Sequence, residues 1–216
     1  MKNTFFMLAL LCLASIATAQ TTFGIKTFYG LSYTSPNSEN YVESSLSKAL
    51  QLGFVGAQSR QGIGVTMINQ NEKVFLMSEA GYMTSGQSFT VEAYGSNNTL
   101  LDPASIFTNR TQSIRGSIMA GVLIKKIKLG AGPEIIWNLS EFEELSSFTN
   151  SLEFNSRKYN TGFNFLLGYK LNKHIHLDLR HTYIFQDVSD GYKFEGIPLD
   201  IGRNAKFIEL SASFFI

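Results

Sequence analysis

From Thr22 to Thr34 the chain reads TFGIKTFYGLSYT. Phe23, Ile25, Tyr29, Leu31 and Tyr33 are apolar, and Gly24, Lys26, Gly30 and Ser32 lie between them. Residues two apart share a face of an extended strand, so this stretch is a strand with one apolar and one polar side. The same period returns in residues 52–68, 73–94, 110–124, 127–139, 158–171 and 175–188. It then runs to the last residue in NAKFIELSASFFI, residues 204–216. Helical spacing never takes over. The pattern predicts eight strands and an all-β fold. Pro133 in the fifth segment has no N–H to give a ladder, and its neighbour Gly132 predicts a bulge there.

The connections sharpen this. NQNE (69–72), Lys125-Lys126 and NKH (172–174) are short enough to be hairpin turns. The other four, roughly residues 35–49, 95–109, 141–156 and 187–203, are long and polar. Short and long alternate along the chain. That is the layout of an eight-stranded antiparallel up-and-down transmembrane β-barrel, with short periplasmic turns, longer extracellular loops and both termini on the periplasmic side.

Which face meets lipid is a separate question. Ile175, Leu177, Leu179, Tyr183 and Phe185 oppose His176, Asp178, Arg180, Thr182 and Gln186. Tyr159, Phe163, Phe165, Leu167 and Tyr169 oppose Lys158, Asn160, Asn164 and Lys170. A soluble lipocalin-like carrier shows the same alternation with its apolar side inward. Three features favour lipid outside. The polar faces carry charges of both signs: Lys26, Arg60, Glu79, Arg115, Glu134, Asp178, Arg180 and Glu209. The interior of an eight-strand barrel is narrow enough for side chains to fill, so these residues are expected to form one lumenal ion network. Glycines 24, 30, 53, 56, 62, 64, 130, 132, 162 and 168 share that face and are expected to make room for long Arg and Lys side chains. Tyr29, Tyr33, Tyr82, Trp137, Tyr159, Tyr169, Tyr183 and Phe185 fall near strand ends on the apolar face, as an aromatic girdle does. Each alone reads equally as a core residue; their joint placement favours lipid.

The ends of the chain fit the same reading. Lys2, the apolar run Phe5–Ile16 and Ala17-Thr18-Ala19 make residues 1–19 a secretory signal peptide, leaving 20–216 as a barrel domain. Cys12, the only cysteine, follows Leu11 where a lipobox needs a small residue, so a lipid anchor is not expected. Lys2 is the one charge before residue 20, and without it 18 basic residues become 17, against 17 acidic. That balance gives no electrostatic case for nucleic acid. No later run approaches 18 consecutive apolar residues, so crossing a membrane requires a closed barrel. At the other end, Ile208, Leu210, Phe214 and Ile216 make the lipid-facing side of a terminal strand. It is expected to close against the first strand and to be read by the barrel assembly machinery. Ile216 departs from the terminal aromatic usual in such strands.

Candidate chemistry is sparse. His174 and His176 lie two apart and on one face could hold a metal, but a histidine pair at a turn edge is the preferred reading. His181 has the opposite parity. Glu134 with Arg115 or Arg180 resembles a catalytic pair; a structural ion network is preferred. No G-x-S-x-G occurs, and SEFEELSS (140–147) reads as a solvated loop tip. No catalytic residue, metal or cofactor is expected.

The segments FGIKTFYGLSY, LGAGPEIIWNL, TGFNFLLGYKL and HLDLRHTYIF, the last with an R-x-x-Y at Arg180 and Tyr183, carry a resemblance over all of residues 20–216. The chain resembles the PorT-like outer-membrane β-barrel proteins common in the Bacteroidetes. The resemblance implies a barrel without shared catalytic residues, in a family some of whose members assist secretion. The expected function is a non-enzymatic, monomeric barrel of the Gram-negative outer membrane, presenting four extracellular loops in a structural or interaction role. Its expected partners are outer-membrane lipid, the assembly machinery, and extracellular or secretion proteins at the loops. The alternatives are a narrow porin-like channel, a secretion-accessory barrel, or the soluble carrier. Substituting Arg115 or Glu134 is expected to raise conductance if the ion network plugs the lumen.

Overall fold

The computed structural model describes residues 20–34, 39–43, 48–54, 57–95, 100–145, 152–187, 189–194, 197–199 and 204–216. The signal segment 1–19 lies outside the described residues. Eight long strands form the wall: β1 (Gln20–Thr34), β4 (Gln58–Gln70), β5 (Val74–Gly95), β6 (Leu100–Ile124), β7 (Ile127–Leu145), β9 (Tyr159–Lys170), β10 (Ile175–Asp187) and β13 (Asn204–Phe215). Each pairs antiparallel with the next, and β13 pairs with β1, from Gly24 opposite Phe215 to Thr34 opposite Ala205. The barrel is closed, which leaves no edge along its wall.

The three short connections lie at one end. Asn71 and Asn172 each close a turn with the side-chain oxygen. Asn71 Oδ1 accepts from the N–H groups of Lys73 and Val74 (2.9 Å each), and Asn172 Oδ1 from those of His174 (2.8 Å) and Ile175 (2.9 Å). The third turn is Lys125-Lys126, with Lys125 at a φ of 58°.

At the other end the expected long loops are partly strand. The first holds β2 (Glu39–Glu43) and β3 (Lys48–Phe54), which extend the sheet beside β5. The predicted second strand, 52–68, is therefore two: Leu52 to Phe54 belong to β3, and the wall strand starts at Gln58. Residues 95–109, expected to be loop, mostly continue the hairpin of β5 and β6, whose pairing reaches Tyr94 opposite Leu100. The remaining two long connections carry β8 (Leu152–Ser156), β11 (Ser189–Phe194) and β12 (Ile197–Leu199), a separate three-stranded sheet. Val, Thr, Phe and Tyr in TVEAY and SIFTN favour pairing over solvated coil, so the hairpin continues past the wall.

The bulge expected at Gly132 is absent. Ser117 faces Glu134 and Ala120 faces Ala131, so the register is the same on both sides of Pro133. The shift lies instead between Gln112 and Ser113, opposite Asn138 and Ser140. Gly132 has another purpose: a Cβ there would collide with the Ile118 carbonyl oxygen of the neighbouring strand. The glycine permits close strand approach without inserting a residue.

The faces sort as expected for a barrel in lipid. Ile25 and Leu210 are 54% and 62% exposed on the outside, whereas Lys26 and Arg180 are 2% and 1% exposed within. Phe23, Ile63, Val65, Ile118, Ile135, Phe165 and Leu167 continue the apolar exterior around the wall. Water does not tolerate so extensive an apolar surface, and hydrocarbon does.

Candidate functional site

The lumen gathers the chain's polar chemistry. The inward parity of seven of the eight wall strands delivers charged residues to the axis: Lys26 from β1, Arg60 from β4, Glu79 from β5, Arg115 from β6, Glu134 from β7, Asp178 and Arg180 from β10, and Glu209 from β13. All eight are buried.

They meet as one network toward the middle of the barrel. Glu79 takes Lys26 Nζ at 2.7 Å on Oε1 and Arg180 Nη2 at 2.5 Å on Oε2. Glu209 takes Arg115 Nη1 at 2.7 Å and Arg60 Nε at 3.1 Å. Glu134 takes Arg60 Nη2 at 3.3 Å, and Arg180 Nη1 lies 3.9 Å away. Arg115 therefore pairs with Glu209 rather than with Glu134. Asp178 is the exception among the eight; it pairs with Lys128 at 2.6 Å.

Neutral groups complete the arrangement. Asn164 Nδ2 donates to Glu134 Oε2 at 2.7 Å, and Thr182 donates to Asn164 Oδ1. Ser117 donates to Glu79 at 3.4 Å. Several buried polar atoms make no hydrogen bond among the described residues: Arg60 Nη1, Arg180 Nε and Nη1, His176 Nε2, Thr66 Oγ1, Asp178 Oδ2 and Ser213 Oγ.

Two apolar clusters bracket the charged layer. Ile68, Phe75, Met77, Met119, Leu166 and Phe215 fill the lumen toward the short turns. Phe28, Met83, Ile136, Ile184, Ala205 and Phe207 fill it toward the long connections. The charged and polar side chains expected in the lumen are there, and these apolar layers add to them. The layers are joined by cation–π contact: the Arg60 guanidinium lies 3.8 Å from the Phe207 ring centroid, and that of Arg115 lies 3.8 Å from Phe28.

The glycines make room as anticipated, but chiefly for other groups. A Cβ at Gly62 would meet the Phe28 ring, and at Gly121 or Gly130 the Phe75 ring; Gly30 makes way for Glu209. Among the glycines with described surroundings, only Gly168 clears space for a basic side chain, where a Cβ would strike Lys128 and Asp178. Gly53 lies in β3, off the wall, and Gly56 lies outside the described residues.

The histidines do not share surroundings. His174 belongs to a turn, outside the strand's alternation; its ring stacks on lipid-facing Phe214 at 6.0 Å and its Nδ1 lies 2.8 Å from the Phe215 carbonyl. His176 is in the lumen, 4.5 Å from the Phe215 ring and 3.4 Å from Lys128 Nζ. No group of three or more His, Cys, Asp or Glu side chains among the described residues is arranged to hold a metal. Outside, Trp137 stacks on Tyr159 at 5.9 Å and Tyr33 hydrogen-bonds His181 at 3.1 Å, both toward the long-connection end. Tyr169 and Phe214 lie near the other end. Ile208, Leu210 and Phe214 lie on the exterior of β13, and Ile216, just past its end, is also exposed. Of SEFEELSS, only Ser140 has a described side chain; it donates to Gln112 at 3.2 Å.

Sequence reasoning passed over Lys128, although it shares parity with Gly130, Gly132 and Glu134. It also passed over the apolar layers. Their signal is a break in alternation, as in Ile135-Ile136-Trp137, Phe165-Leu166-Leu167, Tyr183-Ile184-Phe185 and Phe214-Phe215-Ile216. In each run the middle residue points inward.

A closed eight-strand barrel with an apolar belt is how a chain with no spanning helix among its described residues crosses the Gram-negative outer membrane. This chain is an outer-membrane β-barrel. No family model and no curated protein sequence matches it. Solved structures with a similar backbone include the outer membrane protein OprG from Pseudomonas aeruginosa (TM-score 0.48, 12% identity, covering 92% of this chain and 97% of that one). Others are the outer membrane protease OmpT from Escherichia coli (0.44, 11%, 92% and 96%) and Neisserial surface protein A (0.32, 8%, 91% and 97%).

Proposed function

We propose that the protein is a non-enzymatic barrel whose lumen is a structural plug and whose working surface is the four connections at the extracellular end. The carrying observation is the filled interior, an ion network held between two apolar layers. The buried Glu–Arg pairs have no access to a substrate, so they serve as cross-braces between strands distant in sequence. The partners proposed for the exposed end are extracellular or secretion proteins, with lipid around the wall and the assembly machinery acting on β13. A monomer suits this reading, because the wall closes on itself.

The PorT-like reading is the finer proposal. Its motif segments lie in β1, β7, β9 and β10, which with β13 form one continuous arc of the wall. That arc supplies Lys26, Glu134, Asn164, Asp178 and Arg180 to the lumen. A channel reading finds no support in a lumen so occupied.

Recordings in planar bilayers test the plug. The purified full barrel is expected to give no stable ion conductance while showing a heat-dependent band shift on gels. Steady conductance from that same folded barrel would replace the interaction role with transport.

A further inference from the structure

Three carboxylates serve four cations in the middle of the lumen. Glu79, Glu134 and Glu209 are shared among Lys26, Arg60, Arg115 and Arg180, while Lys128 and Asp178 pair with each other. Among the described residues the middle layer therefore carries one positive charge in excess. Buried charge without a counter-ion is strongly unfavourable, and three of the four cations are guanidiniums, which do not relieve it by losing a proton.

The unused donors lie where that charge is concentrated. Arg60 and Arg180 are 0% and 1% exposed, yet Arg60 Nη1 and Arg180 Nε and Nη1 donate to nothing among the described residues. Both guanidiniums approach the same carboxylate, Arg60 at Glu134 Oε1 and Arg180 at Oε2, so their spare N–H groups share one neighbourhood. Phe207 covers one face of Arg60, which leaves its edge for any further partner.

We propose that the centre of the lumen, between Arg60 and Arg180, binds one small inorganic anion of the halide class. A halide accepts N–H groups from several directions and brings the one negative charge that is lacking. Phe207, Asn164 and Thr182 crowd the same region, which disfavours a bulkier oxyanion. The proposal goes beyond the interaction role and stands independently of it.

The test uses the full barrel refolded in detergent with bromide as the only halide, then desalted into gluconate. Bromide released on denaturation is counted by ion chromatography. Wild type is expected to release about one bromide per barrel, the charge needed to balance the network. Lys26→Met balances the cations and carboxylates and removes no N–H group of Arg60 or Arg180, although it frees the Glu79 oxygen beside Arg180's partner oxygen, and is expected to release less than about a fifth of that amount. Lys173→Met, in an exposed turn, is expected to match wild type. Absence of bromide from wild type would overturn the proposal, as would equal release from Lys26→Met. Crystals of wild type grown in bromide answer without any variant. An anomalous peak within hydrogen-bonding distance of Arg60 and Arg180 supports the site, and its absence overturns it.

Discussion

Glu209 bridges two guanidiniums, Arg60 at 3.1 Å and Arg115 at 2.7 Å, from a position 1% exposed. Removing one partner of a buried pair leaves the other charge uncompensated. Glu209→Ala is therefore expected to destabilise the barrel by about 3–5 kcal/mol. Its neighbour Leu210 is 62% exposed to lipid, and a single surface substitution there is expected to cost about 1 kcal/mol or less. Urea titrations of the two variants in one lipid check this, and equal midpoints would remove the ion network from the account of stability. Which residues enter the lumen was legible at this scale, because parity alone assigns Lys26, Arg60, Glu79 and the rest to one face. Which of them pair was not. Glu134 and Arg115 lie 19 positions apart on adjacent strands, but Arg115 reaches across the barrel to Glu209. A long side chain in a narrow tube chooses partners by depth and reach, and neither is written in the local pattern.

At the scale of elements, the Lys125-Lys126 turn holds Lys125 at φ 58°, a left-handed conformation that a β-branched residue tolerates poorly. Lys125→Val is expected to cost about 1–2 kcal/mol, whereas Lys125→Gly is expected to cost nothing. Comparing refolding midpoints for both tests this; a penalty in the glycine variant would mean the lysine itself contributes at that interface. Gly168 makes a second test, since a Cβ there would strike the Lys128–Asp178 pair. Gly168→Val is expected to slow or prevent refolding, while Gly116→Ala, where a Cβ meets Ile135 at 3.6 Å, is expected to be tolerated. Wall strands were legible because period 2 is strong where one side meets lipid and the other a packed lumen. The ends beyond the wall were not: β5 and β6 run 22 and 25 residues, far past the roughly 9–11 that span a bilayer. Outside hydrocarbon, polar residues pair as readily as apolar ones, so TVEAY and SIFTN could be read as loop or as strand.

For the whole molecule, the lumen is three layers deep, and this changes the expected effect of opening it. A single substitution such as Glu134→Ala, first expected to raise conductance, leaves both apolar layers in place. Steady current is expected only when the layers are breached together, as by Phe28→Ala, Phe207→Ala and Phe75→Ala combined with Glu134→Ala. Planar-bilayer recordings of the single and combined variants distinguish the two; current from the single variant would mean that the apolar layers do not seal. The sequence by itself determined that eight strands alternate, that the short turns share one end, and which charges share a face, because strand periodicity and turn chemistry are local. Parity could not say which face meets lipid, since a lipocalin-like barrel shares it; the mixed-sign charges and girdle aromatics placed the apolar faces outward, and the tertiary structure bears that out. Closure of β13 on β1 was likewise expected; what the tertiary structure alone decided is that Arg115 pairs with Glu209 and that apolar layers bracket the charges. Those outcomes depend on which side chains meet across the axis of a closed tube, where residues distant in sequence become neighbours.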